Sequence, residues 1–150
     1  MDGIGIKRAV GVYVGTIVLV VAMLVALSFL FEIADSPGWL VPFVAAMMVG
    51  MDLRQRRGDR PTASALWKLA GVLTLAQIVI SVLTLPLHSE ELATLVARME
   101  ADGLPANAIL GTVVAVLLVL YLLIHLWALG LGVWAAERTT RESRSIRSSA

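Results

Sequence analysis

The chain contains no cysteine. Disulfides, thiolate metal sites, iron–sulfur ligation and cysteine catalysis are therefore excluded, and the redox compartment is left open. Charge is scarce as well: 15% of the 150 residues are charged and 59% are hydrophobic, whereas a soluble domain has about a quarter charged and about half apolar. Histidine is confined to His88 and His125. No Asp or Glu lies in the middle of an apolar run, which argues against a small proton-coupled exporter, because such a carrier exchanges protons through a membrane carboxylate. Gly-x-Ser-x-Gly, His-Glu-x-x-His and a Gly-rich loop ending in Lys are all missing. The sequence thus offers no catalytic constellation, no cofactor motif and no nucleic-acid partner.

What is present is a set of four apolar stretches, at about 9–31, 39–53, 63–87 and 106–136. Three of them reach the roughly 20 residues that a helix needs to cross a hydrocarbon core. The first, about 23 residues long, exceeds the 7–15-residue core of a secretory signal and reads as a membrane helix. The expected fold is an all-α polytopic membrane protein. It has one four-helix transmembrane domain, 1–136, and a polar, basic tail, 137–150, helical at first and then frayed.

The polar segments alternate in sign. Lys7 and Arg8 precede the first span, Glu32 and Asp35 follow it, and Arg54, Arg56, Arg57 and Arg60 follow the second. Glu90, Glu91, Glu100 and Asp102 lie between the third and fourth spans, and Arg138, Arg141, Arg144 and Arg147 occupy the tail. Every Lys and Arg except Arg98 falls on one side. Because cytoplasmic loops collect Lys and Arg, this predicts both termini and the Arg-rich loop in the cytoplasm, with the two acidic loops facing outward. The basic side reads first as a topology signal. Its second reading is attraction to anionic lipid headgroups or an acidic partner.

Small residues mark candidate packing faces: Gly11 and Gly15 on the first span, Ala46 and Gly50 on the second, and Ala128, Gly132 and Ala136 on the fourth. Such faces let helix backbones approach closely, within the chain or with a partner. The second span is the weakest. It is short, holds Pro42 in its first turn, and crosses only by running on through Asp52-Leu53-Arg54. Asp35-Ser36-Pro37-Gly38 reads as a turn. Gly58 reads as the end of the second helix and Pro61 as the first residue of the third, giving a tight hairpin whose arginines suit a phosphate or a carboxylate. Ser89 is a candidate N-cap for a short amphipathic helix over 90–101, lying on the outer surface between the third and fourth spans.

Thr74, Gln77 and Ser81 share one face of the third span, suited to interhelical hydrogen bonds or to a polar pathway. His125 is the one ionisable residue well inside a span, with Tyr121 one turn away. It is therefore the candidate functional residue. Three roles compete for it: a metal or haem ligand, a proton or quinone site, and a hydrogen bond between helices. Haem with two histidine ligands from one chain is excluded, because His88 and His125 differ in depth by very roughly 25 Å by helix rise.

The Ala- and Gly-rich end of the second span, Arg54-Gln55-Arg56-Arg57-Gly58-Asp59-Arg60-Pro61-Thr62, and the start of the third span together resemble a family of small four-helix bacterial inner-membrane proteins without an assigned activity. The specific part of the likeness is Arg54, Arg57, Gly58, Arg60 and Pro61. Members carry an acidic residue a few positions after the proline, where this chain has Ala65 and Leu66. The resemblance implies fold and location only. The expected function is that of a non-catalytic accessory or scaffold subunit, held in the lipid bilayer as a homo-oligomer or within a larger membrane complex. A small transporter or channel component is the alternative, and a haem or quinone anchor through His125 the third reading.

Overall fold

A computed structural model describes residues 5–31 and 39–148, with side chains described for 5–25, 39–86 and 89–140. The Asp35–Gly38 turn, with Glu32, lies outside the described residues, as do the side chains of His88, Arg141, Arg144 and Arg147. The described residues form five α-helices and one 3-10 turn: α1 Ile6–Phe31, α2 Leu40–Arg57, α3 Ala63–Thr84, the turn Leu85–His88, α4 Ser89–Ala101 and α5 Ala106–Ser148. Three of these helices are long and apolar enough to cross a membrane: Ile6–Val25 of α1, Ala63–Thr84 of α3 and Ala106–Thr140 of α5. α2 is not among them. Its 18 residues rise about 27 Å, but Asp52, Arg54, Arg56 and Arg57 charge its last turns.

Three helix ends differ from the sequence reading. Pro61 does not open α3; it precedes the cap and is buried. Thr62 takes the N-cap in extended geometry, its side chain accepting from the Ala65 N–H at 3.3 Å, so the helix begins one residue after the cap, at Ala63. Ser89 does not cap α4, because the 3-10 turn feeds straight into it, and the Ser89 hydroxyl donates to the Pro86 carbonyl at 2.9 Å instead. α5 runs unbroken to Ser148 rather than fraying. Its polar part contains no Pro or Gly and is rich in Arg and Glu, which carry helical geometry at little cost. Gly58 does end α2, at φ 68°, with its N–H bonded to the Arg54 carbonyl at 3.3 Å. Left-handed geometry at this position favours glycine.

Around the bundle the neighbours run α1, α2, α5, α3. Contacts fix the directions. Arg8 meets Asp52, so α1 and α2 are antiparallel. Phe43 meets Trp127 while Arg54 meets Glu137, so α2 and α5 run in the same direction. Tyr13 meets Gln77 and His125, and Thr74 meets His125. The basic residues of α1, of the α2–α3 hairpin and of α5 consequently collect at one end. The packed core lies toward that end and is built from Tyr13, Ala45, Ala46, Val49, Leu69, Ala70, Leu73, Ala128 and Leu129. Toward the opposite end the helices separate: Val18, Leu19, Val79, Val82 and Leu83 are exposed, and so is every residue of α5 from Gly111 to Leu120.

Candidate functional site

Two structures within the bundle place the sequence-predicted residues. The first is the crossing of α2 and α5. A Cβ at Gly50 would run into the Leu129 carbonyl oxygen, with the Leu129 Cα 3.1 Å away, and a Cβ at Gly132 would run into the Met47 carbonyl oxygen, with the Met51 nitrogen at 3.0 Å. Each glycine is therefore the contact point for the other helix's backbone, which no larger residue permits. Ala46, Ala128 and Ala136 are fully buried and widen that contact. Gly11 and Gly15, which have the same sequence signature, meet no other helix: among the described residues, nothing beyond their own stretch of α1 lies within 4 Å of a Cβ built on either.

The second is a chain of polar side chains across α1, α3 and α5, just above the crossing. His125 and Tyr13 are fully buried, and Thr74 is 8% exposed. The Tyr13 hydroxyl donates to Gln77 Oε1 at 2.9 Å and lies 2.7 Å from His125 Nε2. Thr74 Oγ1 lies 3.0 Å from His125 Nδ1. Since the tyrosine proton goes to Gln77, the tyrosine oxygen accepts from His125 Nε2–H, and the bare Nδ1 accepts from Thr74. One neutral imidazole tautomer satisfies every contact, each with one donor and one acceptor. Tyr121 adds a stacked ring, its centroid 6.2 Å from that of His125. Among the described residues no buried side-chain nitrogen or oxygen is without a hydrogen-bond partner. Leaving any of these groups unpaired in an apolar bundle costs more than the bond itself contributes.

Of the polar face read from α3, the structure brings Thr74 to His125 and Gln77 to Tyr13, while Ser81 lies exposed, toward the opening end. Tyr13 was not among the residues singled out in the sequence, yet it joins all three helices. Its signal was present: a phenol inside an apolar span must find a partner for its hydroxyl. Both ring nitrogens of His125 are engaged, so a metal or haem iron binding there would displace Tyr13 or Thr74.

The basic hairpin divides between two carboxylates. Arg54 and Arg60 face Glu137 of α5, at 3.4 and 4.0 Å, and Arg54 also donates to the Gly58 carbonyl. Arg56 bonds Asp52 at 2.9 Å, and Arg8 bonds the same carboxylate through Nε at 3.3 Å and through a terminal nitrogen at 3.2 Å. Arg138 sits over the Trp134 ring at 4.4 Å. Among the described residues no group of three His, Asp or Glu is placed to hold a metal ion. The chain matches no protein-family model, no curated protein and no solved structure.

Proposed function

We propose that this chain is a non-catalytic integral membrane subunit that works through helix–helix contacts, with copies of itself or within a larger membrane complex. The observation that carries this reading is the unequal use of its glycines. Gly50 and Gly132 are consumed inside the bundle, whereas Gly11 and Gly15 lie on a helix long and apolar enough to span a membrane and face open space. A smooth face of this kind is how a transmembrane helix admits a second backbone. In this reading α2 is a short fourth span, the basic end and both termini face the cytoplasm of a bacterial cell, and α4 lies on the outer surface with Leu92, Leu95, Val96 and Met99 toward the lipid. The excess of Lys and Arg at one end supports that orientation.

The test is native mass spectrometry of the chain extracted from its own membranes in a mild detergent. Stoichiometric assembly that is lost in Gly11→Leu and Gly15→Leu supports the reading, and a stable monomer without a partner overturns it. A second reading, a small transporter or channel component, draws on the Thr74–His125–Tyr13–Gln77 chain, since a line of hydroxyl and imidazole groups is suited to passing protons or polar solutes. Absence of proton, ion or solute flux in vesicles holding the purified protein would remove it.

A further inference from the structure

A cleft of about 180 Å³ opens at the basic end between α1, α2 and α3. Arg8, Arg56 and Arg57 rim it, Asp52 stands among them, and Leu53 and Leu69 contribute to its apolar wall. We infer that this cleft is a specific site for the phosphate headgroup of an anionic phospholipid.

Charge, size and position support the assignment together. Three guanidiniums against one carboxylate leave the lining positive. Asp52 holds Arg8 from one side through two hydrogen bonds and Arg56 from the other through one. Each guanidinium carries five N–H donors, so both retain donors for a second anion while the carboxylate fixes where they stand. Arg57 shares the rim and has no ion pair among the described residues, so its charge is uncompensated. The volume is below the roughly 300–1,000 Å³ of sites that enclose whole small molecules, which suits a phosphoglycerol group whose remainder lies outside. The floor is the packed core itself, with Leu69 1% exposed, so acyl chains would run down the outside of the bundle. Ile6 and Trp67, both exposed near this end, offer them apolar surface. The combination of cationic rim and neighbouring lipid-facing surface favours a lipid over a free phosphate, because the bilayer supplies both parts of the ligand at once.

This inference rests on the membrane reading but not on assembly. Lipid retention is measured for the full chain in whatever oligomeric state it has, so its failure leaves the subunit reading standing. The experiment is native mass spectrometry of delipidated protein titrated with phosphatidylglycerol, phosphatidylcholine or inorganic phosphate. One phosphatidylglycerol per chain is expected to be retained in preference to phosphatidylcholine. Arg57→Gln should weaken it about tenfold and Arg57→Glu should abolish it, with unfolding temperatures little changed, because Arg57 has no ion pair among the described residues and its exposed place at the end of α2 leaves only a small helix-dipole effect. Lys68→Glu makes the same charge change at the start of α3, outside the cleft, and should bind as the parent chain does. Equal loss in Lys68→Glu and Arg57→Glu would mean diffuse attraction and would overturn the site. Equal retention of phosphatidylcholine would also overturn it. Displacement of the lipid by millimolar inorganic phosphate would reassign the cleft to a soluble anion.

Discussion

At the basic end four helices bury Tyr13, Leu69, Leu73, His125 and Leu129 almost completely, whereas toward the other end α5 passes from Gly111 to Leu120 with every residue exposed. Valine, leucine and alanine line both regions, so the presence of apolar side chains does not by itself distinguish them. What differs is α2. It is short, starts level with the Phe43–Trp127 contact, and reaches only part of the way along its neighbours; by helix rise α5 covers roughly 25 Å before it draws level with the start of α2. Where α2 is present, small residues bring backbones together and polar side chains find partners across helices. Where it is absent, Val and Leu face outward, as they do toward lipid, which solvates them as well as a neighbouring helix would. The same apolar residue types form a core in one half and a surface in the other.

The largest test of that contrast is at the crossing. Gly132→Leu forces a side chain into the Met47 carbonyl and should separate α2 from α5, at a cost of about 3 kcal/mol or more, the upper range for overpacking. Thermal unfolding in detergent reads the effect. Gly11→Leu, the matched change on an open face, should stay within about 0.5 kcal/mol for the isolated chain. Equal losses at the two glycines would mean that α1 is packed in a way the open space around Gly11 denies.

How much of this was legible follows from what each signal encodes. Spacing by four found Ala46, Gly50, Ala128 and Gly132, because close approach demands small residues at that period. It also found Gly11 and Gly15, since spacing reports a smooth face and not who fills it. The helical face of α3 gave Thr74 and Gln77 but included Ser81, which lies beyond the region where the helices meet. Tyr13 was missed because its partners come from helices 64 and 112 residues away in sequence, a relation no local pattern contains. Hairpin ends were legible at Gly58, where left-handed geometry selects glycine, and misread at Pro61 and Ser89. At Pro61 a neighbouring threonine takes the cap, and at Ser89 a 3-10 turn continues the helix instead of starting one.

A smaller effect sharpens the account of the packed half. Tyr13→Phe removes one hydroxyl and strands both His125 Nε2–H and Gln77 Oε1. The penalty should be about 1 kcal/mol, between the roughly 0.6 kcal/mol average for interhelical hydrogen bonds in membranes and the 1–3 kcal/mol for an unpaired buried group. A double-mutant cycle with Gln77→Leu should return a coupling of about 0.5 kcal/mol, because the second change also removes the stranded acceptor. A coupling of zero would mean that the Tyr13–Gln77 bond contributes nothing, leaving His125 as the hydroxyl's effective partner.

The smallest expected effect bears on the open half. Val119 is 58% exposed, inside the stretch of α5 where every residue from Gly111 to Leu120 is exposed. Val119→Ala deletes two methyl groups that face outward, so no cavity forms and the cost should stay within about 0.5 kcal/mol in detergent. A buried valine at Val133 has nowhere to lose its methyls without leaving a void, and Val133→Ala should cost clearly more. If Val119→Ala proved as costly as Val133→Ala, the outer part of α5 would be a buried helix whose cover comes from another chain, because no described residue of its own bundle covers it. The half of the molecule that looks least organised would then be its interface, and the test separates a lipid-facing surface from a protein-facing one by whether removing two methyl groups is felt at all.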